Sequence, residues 1–136
     1  MGQNSALDYA VATQAQLASI VTPIPVYAAF NRNWATQPKF VTWMIRDIHQ
    51  PVYTGPNGGK GIDTPIVQIS VFAQTIEDSF TIAQDIIDSL HGYAGQYGGV
   101  TGFYLTKADV QWLYNSFDSD TKMAQVFLDC TLYIQT

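Results

Sequence analysis

Residues 64–93 read Thr64-Pro65-Ile66-Val67-Gln68-Ile69-Ser70-Val71-Phe72-Ala73-Gln74-Thr75, then Ile76-Glu77-Asp78-Ser79-Phe80-Thr81-Ile82-Ala83-Gln84-Asp85-Ile86-Ile87-Asp88-Ser89-Leu90-His91-Gly92-Tyr93. In the first part Val67, Ile69, Val71 and Ala73 are apolar, while Gln68, Ser70 and Gln74 alternate with them. That period of two predicts a strand with one buried face. At Thr75 the period changes, and Phe80, Ala83, Ile87 and Leu90 recur at helical spacing. A strand opening at Pro65 therefore feeds an amphipathic helix over 75–91 with almost no connecting loop. Thr75 is placed to cap the helix, Glu77 and Asp78 suit its first turn, His91 suits its negative end as a cation, and Gly92 suits the C′ position. The unit contains no catalytic side chain at the strand end and no glycine-rich phosphate loop.

The flanks extend the pattern. Residues 5–21 predict a helix capped by Ser5, with Asp8 in its first turn and a stripe of Leu7, Ala10, Val11, Leu17, Ala18 and Val21. Pro23 and Pro25 end it, and Val26 to Phe30 fit a short edge strand. A strand runs from Lys39 to Ile48, with Val41, Trp43 and Ile45 on one side. Residues 49–63 form a long polar loop, a type of segment that often carries function. Five of the ten glycines fall in 92–102, interleaved with Tyr93 and Tyr97. A shorter strand lies within 103–115, followed by an acidic turn to Thr121. The last strand, Met123 to Gln135, alternates cleanly, with Ala124, Val126, Leu128, Cys130, Leu132 and Ile134 on one face. The order predicts one α+β domain over residues 1–136. Its mainly antiparallel sheet has about four strands, packed by the N-terminal helix and the helix over 75–91.

Composition narrows the function. Apolar residues make up 47% of the 136, and charged ones only 12%, about half the usual share. The polar surface is mostly Gln, Asn, Ser and Thr, which is cheaper to bury against a partner than charge is. This favours a subunit of an assembly. The net charge is −5 and the six basic residues, Arg32, Lys39, Arg46, Lys60, Lys107 and Lys122, are scattered. There is no basic stripe for nucleic acid and no polybasic patch for a membrane surface. No apolar run is long enough to cross a bilayer, and no secretion leader is expected. The single Cys130 lies in an apolar run, which suits a reducing compartment.

Chemistry is sparse. His49, His91 and Cys130 have no metal-ligand spacing, so no metal and no cofactor are expected. Asp85 and Asp88 stand at i, i+3 but read as a solvated helix face. The run Gly55-Pro56-Asn57-Gly58-Gly59-Lys60-Gly61 lacks the Ser or Thr of a phosphate loop after its lysine and precedes a strand, so it reads as a surface hairpin loop. No nucleophile–base constellation exists, and no enzyme activity is expected. The remaining signal is aromatic. Phe72, Phe127 and Tyr133 take the more polar faces of their strands, beside Trp112 and Tyr114. Either the N-terminal helix covers them or some of them anchor a subunit contact.

From about Pro38 onward, the order of short motifs resembles a known family. It runs Pro51-Val52-Tyr53, a glycine-containing loop, Val67-Gln68-Ile69-Ser70-Val71, then Leu90-His91-Gly92-Tyr93 and a glycine-rich stretch. It continues through Trp112-Leu113-Tyr114, Asp118-Ser119-Asp120-Thr121 and Ala124-Gln125-Val126-Phe127-Leu128-Asp129. The chain looks like the tail-terminator, or tail-completion and tail-to-head joining, proteins of long-tailed bacteriophages. The N-terminal helix fits as well, while residues 22–37 carry nothing that matches. The resemblance implies a structural virion protein forming a hexameric ring on the head-proximal end of the tail tube. Its partners would be its own copies, the tail tube protein and the head connector, with DNA passing through the lumen without specific binding. Its place would be the virion tail, and the host cytoplasm during assembly. Loop 49–63 and segment 92–102 are the expected assembly elements, with Tyr53, Asn57, Lys60, Tyr97, Trp112, Phe127 and Tyr133 as interface residues. Two other readings stay open at this point: a head-completion or minor tail protein of similar size, and a small ligand-binding α+β regulatory module with a pocket built from the aromatics and the glycine-rich loop.

Overall fold

The computed structural model describes residues 5–32, 34–49, 62–98 and 103–135. Its elements are α1 (Ala6–Val21), β1 (Val26–Ala28), a short 3₁₀ turn (Trp34–Thr36), β2 (Lys39–His49), β3 (Ile62–Ala73), α2 (Ile76–Leu90), β4 (Gly95–Tyr97), β5 (Phe103–Asp118) and β6 (Met123–Gln135). One sheet holds six strands in the order β1-β2-β3-β6-β5-β4. The expected α+β fold is present, but the sheet has six strands and not about four. β1 falls where the sequence fits a short edge strand, and β4 is a further strand of three residues, too short to show a period. The β1–β2 pair is parallel, and every other pair is antiparallel. β3 lies inside the sheet between β2 and β6. β5 is longer than expected, running to Asp118 where the sequence reads as a turn.

Both helices pack on the same face. Their buried side chains join Val41, Trp43, Val67, Ile69, Val71, Val126, Leu128, Cys130, Leu132 and Ile134 in a single core. The β6 alternation is realised residue by residue, since each of its even positions from Ala124 to Ile134 is buried. The caps form as read. The Ser5 hydroxyl accepts from Asp8 N–H at 3.2 Å, and the Asp8 carboxylate accepts from Ser5 N–H at 3.0 Å. The Thr75 hydroxyl accepts from Asp78 N–H at 3.2 Å, and Gly92 takes φ +77° after α2.

The helix faces differ from the expected stripes. In α1, Leu7 is 72% and Val11 61% exposed, and the buried set is Tyr9, Ala12, Thr13, Leu17 and Val21. The helix is rotated because its polar side chains find partners inside. The Tyr9 hydroxyl donates to the buried Asp63 carboxylate, and the Thr13 hydroxyl accepts from Tyr97 OH at 3.0 Å. A buried polar group that is hydrogen-bonded escapes most of its desolvation penalty. In α2 the buried set is Ser79, Ile82, Ala83, Ile86 and Leu90. Phe80 turns outward to 40% exposure and meets Trp112 edge-on, with ring centroids 5.0 Å apart.

His91 lies at the end of α2, where its Nδ1 accepts the Val110 N–H at 3.0 Å. Asp109 Oδ1 lies 3.7 Å from the same nitrogen.

Candidate assembly surfaces

The face of the sheet away from the helices carries the alternate side chains of β2, β3, β6 and β5. Phe40 stacks on Phe72 with centroids 4.7 Å apart, and Tyr114 stacks on Phe127 at 4.6 Å. Lys107 Nζ sits 4.7 Å from the Tyr133 ring centre, a cation–π contact of modest worth where exposed. Arg46 Nη2 donates to Asp129 Oδ2 at 2.7 Å, and Asp129 Oδ1 is buried without a hydrogen-bond partner. A cavity of about 200 Å³ opens on this face among Phe30, Trp34, Phe40, Phe72 and Thr121. The Thr121 hydroxyl oxygen in its wall is also buried and unpartnered. An unpartnered buried polar atom is costly, so both weaken the fold locally.

On the helix side, exposed apolar groups gather at opposite ends of the sheet. Leu7 and Val11 stand out from α1 near β1. Ile76 and Phe80 of α2 lie toward β5, where Leu113 and Phe117 are also exposed. Among the described residues, no group of three His, Cys, Asp or Glu side chains is placed to hold a metal. Burial drives the Cys130 thiol up to about 12, with Asp109 and Asp129 adding to the effect, so it stays protonated and unreactive at neutral pH.

Of the seven residues expected at an interface, the four described ones do not form one patch. Tyr53, Asn57 and Lys60 lie outside the described residues. Tyr97 is in the core, 1% exposed, and its phenol is held well above the ordinary value, mainly by burial. Its own subunit uses that ring. Gly98 beside it explains why the glycine is there: at φ +86°, an added Cβ would meet Ala12 Cβ at 2.5 Å, so the backbone lies directly on α1. Trp112 is half-buried on the helix side, whereas Phe127 and Tyr133 are half-buried on the open face. Sequence reasoning missed Leu7, Val11, Ile76 and Phe117. Leu7 and Val11 belong to the expected apolar stripe of the first helix and are exposed by its rotation, whereas Phe117 stands on β5 where the sequence reads as a turn.

The sequence matches no family model and no curated protein. The fold, however, is shared with solved chains. A chain of the native gene transfer agent virion superposes with a TM-score of 0.59 over 96% of both chains, at 18% identity. The sheath/tube terminator of an extracellular contractile injection system, in its extended state, superposes with a TM-score of 0.55 at 11% identity, over 100% of this chain and 58% of that one. A third solved chain, known only by a sequence label, gives 0.63 at 9% identity over 96% of this chain and 92% of its own length. These neighbours agree with the resemblance of the sequence to the phage tail-terminator family.

Proposed function

We propose that the protein is a structural tail protein that terminates the tail tube. Copies close into a ring, six by the family's habit, on the head-proximal end. The ring stops tube growth and presents the surface that docks on the head connector. The observation that carries this reading is the match of the whole chain to the fold of a virion chain and of an injection-system terminator. The composition supports it: low charge suits a buried ring contact, and net acidity suits a lumen through which DNA slides without sticking. No catalytic role is proposed. The protein would reside in the virion tail, after assembly in the host cytoplasm.

A ring needs heterologous contacts that close on themselves. Trp112, Phe127 and Tyr133 are proposed as contact anchors. Tyr53, Asn57 and Lys60, within loop 49–63, are proposed as a second assembly element. Electron microscopy of the purified protein mixed with tail tubes tests the reading. Rings seated at one end of tubes of capped length are expected. Binding to the connector but not to tubes would move the protein to a head-completion role and overturn the terminator reading. Deleting residues 57–60 should leave the fold intact and reduce tail-to-head joining; normal virion yield would remove that loop from the proposal.

A further inference from the structure

The cavity on the open face of the sheet has two walls of different character. One is the segment after β1, which contributes Phe30 and Trp34. The other is the β5–β6 hairpin, which contributes Asp118 and Thr121. The stacked rings of Phe40 and Phe72 also line it. At about 200 Å³ it is smaller than the roughly 300–1,000 Å³ of small-molecule sites and has room for a single side chain.

Its chemistry suits a flat cation. Four aromatic rings line it, and ring faces attract a guanidinium. Asp118 Oδ1 accepts from Asp120 N–H at 2.9 Å, but the carboxylate has no ion pair among the described residues. The Thr121 hydroxyl oxygen is buried without a hydrogen-bond partner. No Lys, Arg or His lines the cavity. A guanidinium, with five N–H donors in a plane, serves the rings, the carboxylate and the hydroxyl together. An apolar side chain would serve the rings and leave the hydroxyl unpartnered.

The chain carries such a group beside the cavity. Arg32 follows Asn31, another lining residue, yet it is exposed, does not line the cavity and has no ion pair among the described residues. The other described Lys and Arg side chains are placed elsewhere. Lys39 lies near Asp78, Arg46 is bonded to Asp129, and Lys107 sits over the Tyr133 ring. Lys122 belongs to the hairpin itself. Residues 30–37 contain no Asp or Glu, whereas the hairpin carries Asp118 and Asp120. Phe30 is 64% and Trp34 38% exposed.

We propose that Arg32 of a second copy enters this cavity, and that the exchange is reciprocal, so that two copies pair about a two-fold axis. In an isologous contact, residue i of one copy meets j of the other, and j meets i. Because Arg32 and the cavity lie side by side on one surface, a single axis serves both. The segment after β1 in each copy then faces the acidic hairpin of the other, which is a complementary match of charge. Phe30 and Trp34 are covered by the same contact, and Trp and Arg are the residue types that most often anchor interfaces. The inference does not rest on the terminator reading, since a two-fold contact is separate from the heterologous contacts that close a ring.

Sedimentation of the full chain up to about 0.5 mM tests the pairing: dimers are expected, and Arg32→Asp and Asp118→Arg should each weaken them by about tenfold or more. Mixing the two variants separates exchange between copies from any effect within one. In the mixed pair both contacts again join opposite charges, so the mixture should associate although neither variant does so alone. If Asp118→Arg does not fold, Asp118→Asn takes its place and should weaken pairing by about tenfold. A wild-type chain that stays monomeric at the highest concentration, unchanged pairing of Arg32→Asp, or no association on mixing two folded charge-reversal variants would each overturn the proposal. A monomeric wild-type chain whose Trp34 indole resonance shifts with N-acetylarginine amide would also overturn it, and would give the cavity to an arginine of another protein.

Discussion

The two helices share one face of the sheet but are held there by different chemistry. α2 is held by apolar burial, through Ile82, Ala83, Ile86 and Leu90. α1 is held by specific polar contacts as much as by Leu17 and Val21. Tyr9 reaches Asp63, Thr13 accepts from Tyr97, and Gln16 Oε1 accepts from Gly98 N–H at 2.9 Å. Gln14 works at both ends, with its oxygen accepting from Trp43 Nε1 at 2.6 Å and its nitrogen donating to Val26. An apolar face tolerates sliding and repacking, whereas a set of directional bonds fixes one position. α2 supplies the bulk of the cohesion, and α1 supplies register.

Substitutions can break that contrast. Ile86→Ala, in the fully buried face of α2, should lower unfolding stability by about 2–5 kcal/mol in denaturant titration. Gly98→Ala should cost about 2–3 kcal/mol, since its new Cβ meets the α1 backbone and its φ is left-handed. If Gly98→Ala is neutral, α1 is not fixed where the close approach puts it. Alkali should act next. The folded state keeps the Cys130 proton to about 12, while the unfolded thiol loses it above its ordinary 9.0. The stability is whole below that value and falls by up to about 1.4 kcal/mol per pH unit above it. The buried Tyr97 phenol, bonded to α1, adds a loss of the same sign at higher pH. Cys130→Ala should flatten the first part of the decline in pH-dependent denaturation. Tyr9→Phe, which leaves the buried Asp63 short of one donor, should cost about 1–2 kcal/mol. At the bottom of the scale, Leu7→Ser on the outer side of α1 should change stability by no more than about 0.5 kcal/mol. A large loss there would mean that the outer side of α1 is packed after all.

The same contrast decides what the sequence revealed. β3, α2 and β6 were legible because their burial is apolar and periodic. Even the capping residues Ser5 and Thr75 could be placed, since their partners are three residues away. The buried face of α1 was not legible. Tyr9 and Thr13 look like surface residues until their partners, 54 and 84 residues away, are in place. β4 was too short to carry a pattern. Tyr97, expected as an interface residue within 92–102, is buried, and Gly98 beside it serves close packing on α1. Of the expected interface residues, Trp112, Phe127 and Tyr133 keep exposed area. They sit on two faces, because Trp112 pairs with Leu128 on the helix side while Phe127 and Tyr133 are the alternate positions of β6; the bulge after Trp112 then carries Tyr114 to the open face, and nothing in the sequence marks a bulge.

The amide of Gln14 has a further consequence. Its oxygen holds the Trp43 indole of β2 and its nitrogen holds the Val26 carbonyl of β1. One side chain of α1 thus acts as a rivet through two strands, and sliding the helix along its axis would break both bonds at once.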